Sequence, residues 1–211
     1  ELKILAVVVA LTLITYWGVE PYAHHEMHPP VAPADFAFSD VKESVADVTA
    51  LEGNATSGEA LVTANCTACH SIESKGFPQV MDNASSGSAY GVTPPDLGSA
   101  GKLYNATYLA AFIKDPATAS RVAHKFVDGR AHPMPSYNWM QPQEIADMVA
   151  YLKSIAPKEM TNKEVFTDSC QRCHAIKYAD MKGGSMAAFT PKDDVKHYMG
   201  KLPPDLSQYI K

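Results

Sequence analysis

Two pentapeptides of the chain carry the same reactive side chains in the same order. The first is CTACH at residues 66–70, and the second is CQRCH at residues 170–174; together they use all four cysteines. Two thiols three residues apart share one face of a helix, so both can form thioethers with one porphyrin while the next histidine binds its iron. The pattern predicts two covalently bound haem c groups. The predicted haem residues are Cys66, Cys69 and His70 in the first motif and Cys170, Cys173 and His174 in the second.

Three other uses of paired cysteines fit this pattern less well. A structural disulfide does not explain why a histidine follows each pair at the same offset. A zinc site built from both pairs is chemically possible, but the pairs are much farther apart than in ordinary zinc modules. A thioredoxin-like redox pair needs a βαβ context, which this sequence does not predict. Haem attachment is therefore the favoured interpretation of both motifs.

The ligand opposite His70 determines the properties of the first haem. Methionine in that position gives a six-coordinate haem of relatively high reduction potential. We predict Met134, in HPMPSY, because its flanking prolines hold an extended loop that can present a thioether rigidly. Met140 is the second candidate, with core packing as its alternative role. His132 or His124 would instead give two-histidine ligation and a lower potential.

The second haem has no equally good donor within the sequence. Met181, Met186 and Met199 precede the second PPDL sequence, whereas the predicted ligand of the first unit follows its own PPDL. We expect these three methionines to be packing or loop residues. The ligand of the second haem is expected beyond Lys211.

Both PPDL sequences predict an acceptor for the iron-binding histidine. A histidine that binds a metal usually donates its other ring N–H to a carbonyl or carboxylate, which fixes its orientation. Proline offers a carbonyl without an N–H of its own. We expect the segments at residues 94–95 and 203–204 to accept these hydrogen bonds from His70 and His174.

Helical patterns surround the motifs, with little β signal. Capping boxes, proline stops and apolar spacing predict the helix boundaries. The signals are a Thr56–Glu59 box before the first motif, a helix that ends at Pro116, a helix that opens near Pro142 with the stripe Ile145, Met148, Val149 and Leu152, and a Thr161–Glu164 box before the second motif. The order of motifs is that of an internal repeat, and the second copy lacks everything after PPDL. We expect the natural protein to continue for several dozen residues.

The N-terminus predicts a membrane anchor. Residues 4–19 carry no charge and follow Lys3, and with their neighbours they approach the roughly twenty residues that cross a bilayer. Tyr16, Trp17 and Tyr22 lie at the distal end, where interfacial aromatic residues belong. A cleaved signal peptide is the alternative, but no small-residue cleavage site directly follows the apolar run.

The motifs together resemble those of class I cytochrome c, through CxxCH, PPDL, MP and the EIADMVAYL helix. GKLPPDLS at residues 200–207 resembles a segment of cytochrome c1, and residues 16–36 resemble the anchor and tether of the dihaem cytochrome c subunit of certain bacterial bc1-type complexes. The resemblance implies an all-α chain with an N-terminal transmembrane helix and tandem class I cytochrome c domains, the second apparently incomplete. The implied boundaries are an anchor at 1–22, a Pro/His-rich tether at 23–50, a first domain at 51–157 and the start of a second at 158–211.

This resemblance further implies a respiratory ubiquinol or menaquinol–cytochrome c reductase, a dimeric complex with a cytochrome b subunit and a Rieske iron–sulfur protein. The subunit would pass single electrons from the Rieske protein to a periplasmic cytochrome c or oxidase, with no catalytic acid or base of its own. It would lie in the bacterial inner membrane, in contact with lipid, with its N-terminus cytoplasmic and its haem domains periplasmic. The formal charge of −5 argues against nucleic acid and fits a basic partner.

Three alternatives stay open from the sequence. One is the dihaem cytochrome c subunit of a cbb3-type oxidase, which also joins an anchor to two cytochrome c domains. Another is a stand-alone anchored electron carrier. The third is a peroxidase-like dihaem enzyme, which needs one haem with an exchangeable axial position.

Overall fold

The structure is a computed structural model that describes residues 1–27, 39–122, 131–181, 196 and 202–208. The chain divides into two units, residues 1–38 and residues 39–211. Within the described ranges, the regular structure is helical apart from two isolated β-bridges. The mostly helical class predicted from the sequence is confirmed.

The described part of the first unit is one exposed helix in three consecutive parts: α1 (Leu2–Ile14), a π-helical turn (Thr15–Val19) and α2 (Glu20–Met27). Its length and composition would allow it to cross a membrane, which makes it a candidate anchor. The helix continues past Pro21 and ends at Met27. It therefore extends into the segment from residue 23 onward that the sequence predicts to be tether. The wider π turn explains this, because it loosens the packing of the preceding carbonyls, with which a proline ring clashes in a regular α-helix.

The second unit is assembled from short helices, several of them only one turn long. The helices are α3 (Ser39–Ser44), α4 (Ala46–Thr49), α5 (Ala55–Asn65), α6 (Asn83–Tyr90), α7 (Ala100–Leu103), α8 (Ala106–Lys114), α9 (Pro116–Ala119), α10 (Pro142–Ile155) and α11 (Asn162–Val165). A π-helical turn, Phe166–Cys170, directly follows α11. The predicted stop before Pro116 and the predicted start at Pro142 are confirmed.

The core of this unit lies between α5, α8 and α10. All four residues of the predicted apolar stripe on α10 are buried, and Met148 is fully buried, so it is a packing residue as expected. Val41 of α3, Val48 of α4 and Val45, which lies between the two helices, belong to the same core. Residues 39–49, which the resemblance assigns to the tether, therefore belong to the folded unit.

Close contact between α5 and α10 depends on Gly58. A Cβ atom at this position would meet the backbone carbonyl of Asp147 and would lie 2.9 Å from the Cβ of Tyr151. The buried carboxylate of Asp147 also accepts the backbone N–H of Asn54 at 2.7 Å. These contacts fix the helix that leads into the first CxxCH motif against the helix that closes the unit.

One predicted capping box is wrong and the other is confirmed. Helix α5 is capped by Asn54, whose side-chain oxygen accepts the N–H of Thr56 at 2.9 Å, so Thr56 lies inside the helix. Asparagine is among the best N-cap residues, which explains why the helix begins earlier than expected. Before the second motif, Thr161 and Glu164 form the predicted reciprocal box, with the Thr161 N–H donating to Glu164 at 2.7 Å.

Candidate haem site

The first CxxCH motif forms one helical turn at the end of α5. The N–H of His70 donates to the carbonyl of Cys66 at 2.8 Å, and that of Cys69 donates to the same carbonyl at 3.1 Å. No disulfide joins Cys66 to Cys69. Burial raises the pKa of Cys66 to about 12, and the neighbouring Cys69 adds to the rise. Both thiols are therefore available on one turn, and Cys66 is uncharged at neutral pH.

His70 is oriented by the carbonyl that the PPDL sequence predicted. Its Nδ1 lies 2.8 Å from the carbonyl oxygen of Pro95, and since a carbonyl only accepts, Nδ1 must donate. Burial lowers the pKa of His70 despite this hydrogen bond, and the charge of Arg172 lowers it further. The imidazole is thus neutral at neutral pH. Its Nε2 lone pair is then left for an iron atom.

A cavity of about 310 Å³ adjoins this turn. Its volume lies within the range of about 300–1,000 Å³ that is usual for cofactor and ligand sites. Cys66, Cys69 and His70 line it, and so do Met134 and His132 of the predicted ligand loop. Most of the remaining lining is apolar or aromatic, from α8, α10 and the PPDL loop. The residues present therefore fit a porphyrin with a thiol pair, one imidazole and a thioether around it.

The loop that carries Met134 is held on two sides. The hydroxyl of Tyr137 donates to the carbonyl of Asn65 at 2.8 Å, and the N–H of Tyr137 donates to the carbonyl of Ile113 at 3.1 Å. The loop is thereby fastened both to the last turn of α5 and to α8. Such anchoring would limit the positions open to the Met134 sulfur, which remains our predicted axial ligand.

The other predicted donors differ from Met134 in their surroundings. Met140 is buried in the core, which agrees with its alternative role in packing. Nδ1 of His132 lies 3.1 Å from the backbone N–H of Met134, and its ring stands edge-on to Phe112. His124 lies outside the described residues.

The second motif repeats the first in local detail. The N–H of His174 donates to the carbonyl of Cys170 at 2.8 Å, and Nδ1 of His174 lies 2.8 Å from the carbonyl oxygen of Pro204. The predicted proline acceptors are therefore confirmed at both histidines. An isolated bridge follows each motif, Ile72 with Phe77 in the first and Ile176 with Met181 in the second.

This correspondence also bears on the methionines of the second motif. Met181 occupies the bridge position that Phe77 holds in the first unit, which agrees with the expected packing role. Met186 and Met199 lie outside the described residues. The two motifs differ in the helix that precedes them, since Cys170 ends a π-helical turn, whereas Cys66 follows the α-helix α5.

Several cavity residues were not predicted from the sequence. Tyr137 fastens the ligand loop, and Arg172 and Asp168 of the second motif segment line the cavity of the first. Tyr137 is the last residue of the HPMPSY sequence, but nothing in the sequence indicated that its hydroxyl donates to Asn65. The contribution of Arg172 depends on a contact between distant parts of the chain and carries no local signal.

Comparison with known proteins assigns the chain to a family. The sequence model of the cytochrome c family matches residues 55–156, which contain the first motif, its PPDL loop, Met134 and α10. A cytochrome c-553-like protein of Synechocystis sp. is 30% identical over 125 residues, covering 59% of this chain and 91% of that protein. No solved structure matches the chain.

The chain belongs to the cytochrome c family. It is a c-type cytochrome whose domain binds haem c covalently and carries electrons. When bound, the haem supplies an iron that alternates between its ferric and ferrous states. The protein's own contribution is to tether and orient the porphyrin and to shield it from water.

Proposed function

We propose that this protein is a membrane-anchored dihaem cytochrome c of a quinol–cytochrome c reductase. It carries single electrons from a Rieske iron–sulfur protein to a periplasmic acceptor. The observation that carries the dihaem part is the second motif, whose hydrogen bonds repeat those of the first. The motif turn, the proline carbonyl at Nδ1 of the histidine and the following bridge all recur.

In this proposal each motif holds one haem. Cys66 and Cys69 tether the first haem, and His70 and Met134 bind its iron. Cys170 and Cys173 tether the second, with His174 as an iron ligand. The carbonyls of the two PPDL loops support this assignment, because an N–H donated to a carbonyl orients the imidazole and raises its basicity as a ligand.

The membrane assignment rests on the first unit and on haem chemistry. Helix residues 2–27 are apolar and exposed over most of their length, and an exposed apolar surface of this extent is stabilised by lipid rather than by water. Bacterial haem c is attached outside the cytoplasmic membrane. We therefore place the haem domains in the periplasm of a bacterial inner-membrane protein, with Lys3 on the cytoplasmic side.

The choice of complex rests on the sequence resemblances. GKLPPDLS is similar to a segment of cytochrome c1, and residues 16–36 are similar to the anchor and tether of dihaem subunits in bc1-type complexes. These resemblances favour a cytochrome b subunit and a Rieske protein as neighbours in a dimeric complex. The acidic balance of the chain, −5, favours a basic electron acceptor.

The number of haems can be tested on the denatured protein. Acidified organic solvent removes non-covalent haem, and the haem that remains attached is quantified as its pyridine complex against the protein concentration. We expect two haems per chain, one in Cys170→Ala/Cys173→Ala and one in Cys66→Ala/Cys69→Ala. One haem in the wild type, unchanged by the Cys170 and Cys173 substitutions, would refute the dihaem assignment.

The complex can be tested by purification from membranes in mild detergent. We expect cytochrome b and an iron–sulfur protein to accompany this chain, and we expect quinol to reduce its haem. A copper-containing oxidase among the copurified chains would indicate the cbb3-type alternative. A chain that purifies alone would indicate a stand-alone carrier, and peroxide turnover would indicate a peroxidase. Each of these three results contradicts the reductase assignment.

A further inference from the structure

The segment of the second motif contacts the cavity of the first. Arg172 stands between Cys170 and Cys173 in sequence, yet its side chain lines the cavity that contains Cys66 and His70. Its Nη2 donates to the carbonyl oxygen of Thr93 at 2.9 Å. The guanidinium is thus held at a defined place on the wall of the first haem site, 79 residues away in sequence from its acceptor.

The acceptor belongs to the loop that orients the first imidazole. Thr93 precedes Pro94 and Pro95, and the carbonyl of Pro95 accepts the hydrogen bond from His70. Thr93 is itself buried, so the hydrogen bond from Arg172 lies where solvent screens a charge poorly. The position of the guanidinium is therefore tied to the position of the iron-binding histidine.

The charges that face this cavity are few. Among the described residues that line it, Arg172 is the one with a permanent positive charge. Asp96 also lines it, but its two carboxylate oxygens accept the N–H groups of Glu73 at 2.9 Å and Gly98 at 2.7 Å. Asp168 lines it too, with a side chain exposed to solvent. Arg172 is thus a partly buried cation on the cavity wall. Two carboxylates oppose its charge: Asp96, which is hydrogen-bonded, and Asp168, which is exposed to solvent.

A cation at this place has a definite effect on a haem. Uptake of one electron lowers the net charge of an iron porphyrin by one unit. A nearby positive charge therefore favours the reduced form, and more strongly where the surroundings are apolar. We propose that Arg172 raises the reduction potential of the haem at Cys66, Cys69 and His70. Through Arg172, the second motif segment sets a property of the first haem. The proposal depends on haem at the first motif and is independent of the partner complex.

The test is a redox titration of the full chain, followed by haem absorption, with the two components fitted separately. Cys170→Ala/Cys173→Ala identifies the component of the first haem. Arg172→Gln keeps an N–H donor for Thr93 but removes the charge, and Arg172→Lys keeps the charge. Lys163→Gln is the matched control, because it removes one positive charge from an exposed side chain of α11.

For Arg172→Gln we expect the reduction equilibrium constant of the first haem to fall about tenfold, which is about 59 mV for a one-electron couple. Arg172→Lys should retain most of the wild-type potential, and Lys163→Gln all of it. An unchanged potential in Arg172→Gln, or equal shifts in the Gln and Lys variants, would overturn the proposal.

A second variant keeps the proposal testable if Arg172→Gln does not fold or attach haem. Asp168→Asn removes the opposing charge from the same wall, at an exposed side chain whose loss does not threaten the fold. We expect the potential of the first haem to rise in this variant. An unchanged or lower potential would contradict an effect of these wall charges on the haem. If haem counting finds one haem only, at the first motif, the dihaem proposal fails while the Arg172 titration still decides this one.

Discussion

Replacement of Gly58 by alanine tests how closely α5 and α10 must approach to build the haem site. The added methyl would lie 2.9 Å from the Cβ of Tyr151, about 0.5 Å inside ordinary contact distance, and closer still to the carbonyl oxygen of Asp147. Neither contact can be relieved by a change of rotamer, because one partner is backbone and the other is a Cβ atom. The two helices must therefore move apart.

The magnitude follows from two opposing effects. Overpacking of a well-packed site costs about 1–3 kcal/mol, and the upper value, about 3 kcal/mol, applies where backbone must move. Alanine in place of glycine gains about 1 kcal/mol of helix propensity. The expected net loss of unfolding free energy is about 2 kcal/mol, which corresponds to about 4–8 °C in Tm for a unit of this size.

The assay is chemical and thermal unfolding followed by circular dichroism, with Ser57→Ala as the control. Ser57 is the exposed neighbour on the same helix, so its substitution should change stability by less than about 0.5 kcal/mol. The haem absorption region should respond as well, because Cys66 directly follows α5 and Leu152 of α10 lines the cavity. If Gly58→Ala matched its control in stability and in the haem spectrum, the reasoning about this crossing would be refuted.

Three further predictions concern the ligand loop and the second motif. Met134→His should abolish the weak sulfur-to-iron absorption band of the oxidised protein, whereas Met140→Leu should keep it; a band that survives Met134→His would exclude Met134 as the ligand. Tyr137→Phe removes the hydrogen bond to the Asn65 carbonyl and should cost about 1 kcal/mol in urea unfolding; the exposed Tyr178 supplies the control, Tyr178→Phe, and equal midpoints for the two variants would contradict the assignment. Asp205 accepts hydrogen bonds from Ser207 and faces Lys177. These contacts lower the pKa of Asp205 from 3.8 to about 2, and the hydrogen bond from the Ser207 side chain has the largest effect. Because the folded pKa is the lower one, the carboxylate stabilises the folded state above about pH 3.8, and this stabilisation is lost as the pH falls through about 2. Acid unfolding curves between pH 5 and pH 2 should therefore fall less steeply for Asp205→Asn than for the wild type, and parallel curves would show that the shifted carboxyl does not contribute.

The interactions confirmed at the site are those whose partners carry a local signal. Proline lacks an N–H, and a metal-binding histidine needs an acceptor, so the PPDL sequence was enough to predict the bonds from His70 to Pro95 and from His174 to Pro204. The start of α10 at Pro142 and the burial of Met148 followed from proline chemistry and from apolar spacing in the same way. Each signal lies within a short stretch of sequence, although the two histidines are 25 and 30 residues away from their proline acceptors.

Two features of the fold were missed because the local signal is ambiguous. Asn54 and Thr56 can both cap a helix, and the sequence does not say which residue prevails; the N–H of Asn54 is also held by the buried Asp147, a partner 93 residues away. In the same way, valines spaced along residues 41–48 are compatible with an exposed tether until a core is present to bury them. They are buried in the structure because that core offers them an apolar surface.

The sequence alone determines the two CxxCH motifs and the prolines that orient their histidines. The physical reason is that haem attachment needs two cysteines and a histidine at fixed spacing, and that a proline offers a carbonyl acceptor without an N–H of its own. Tertiary structure alone decides that Arg172 of one motif lines the cavity of the other and that Tyr137 fastens the ligand loop to α5. Both contacts join segments more than 70 residues apart. Such contacts arise from the packing of whole helices, which brings together side chains that no local pattern relates.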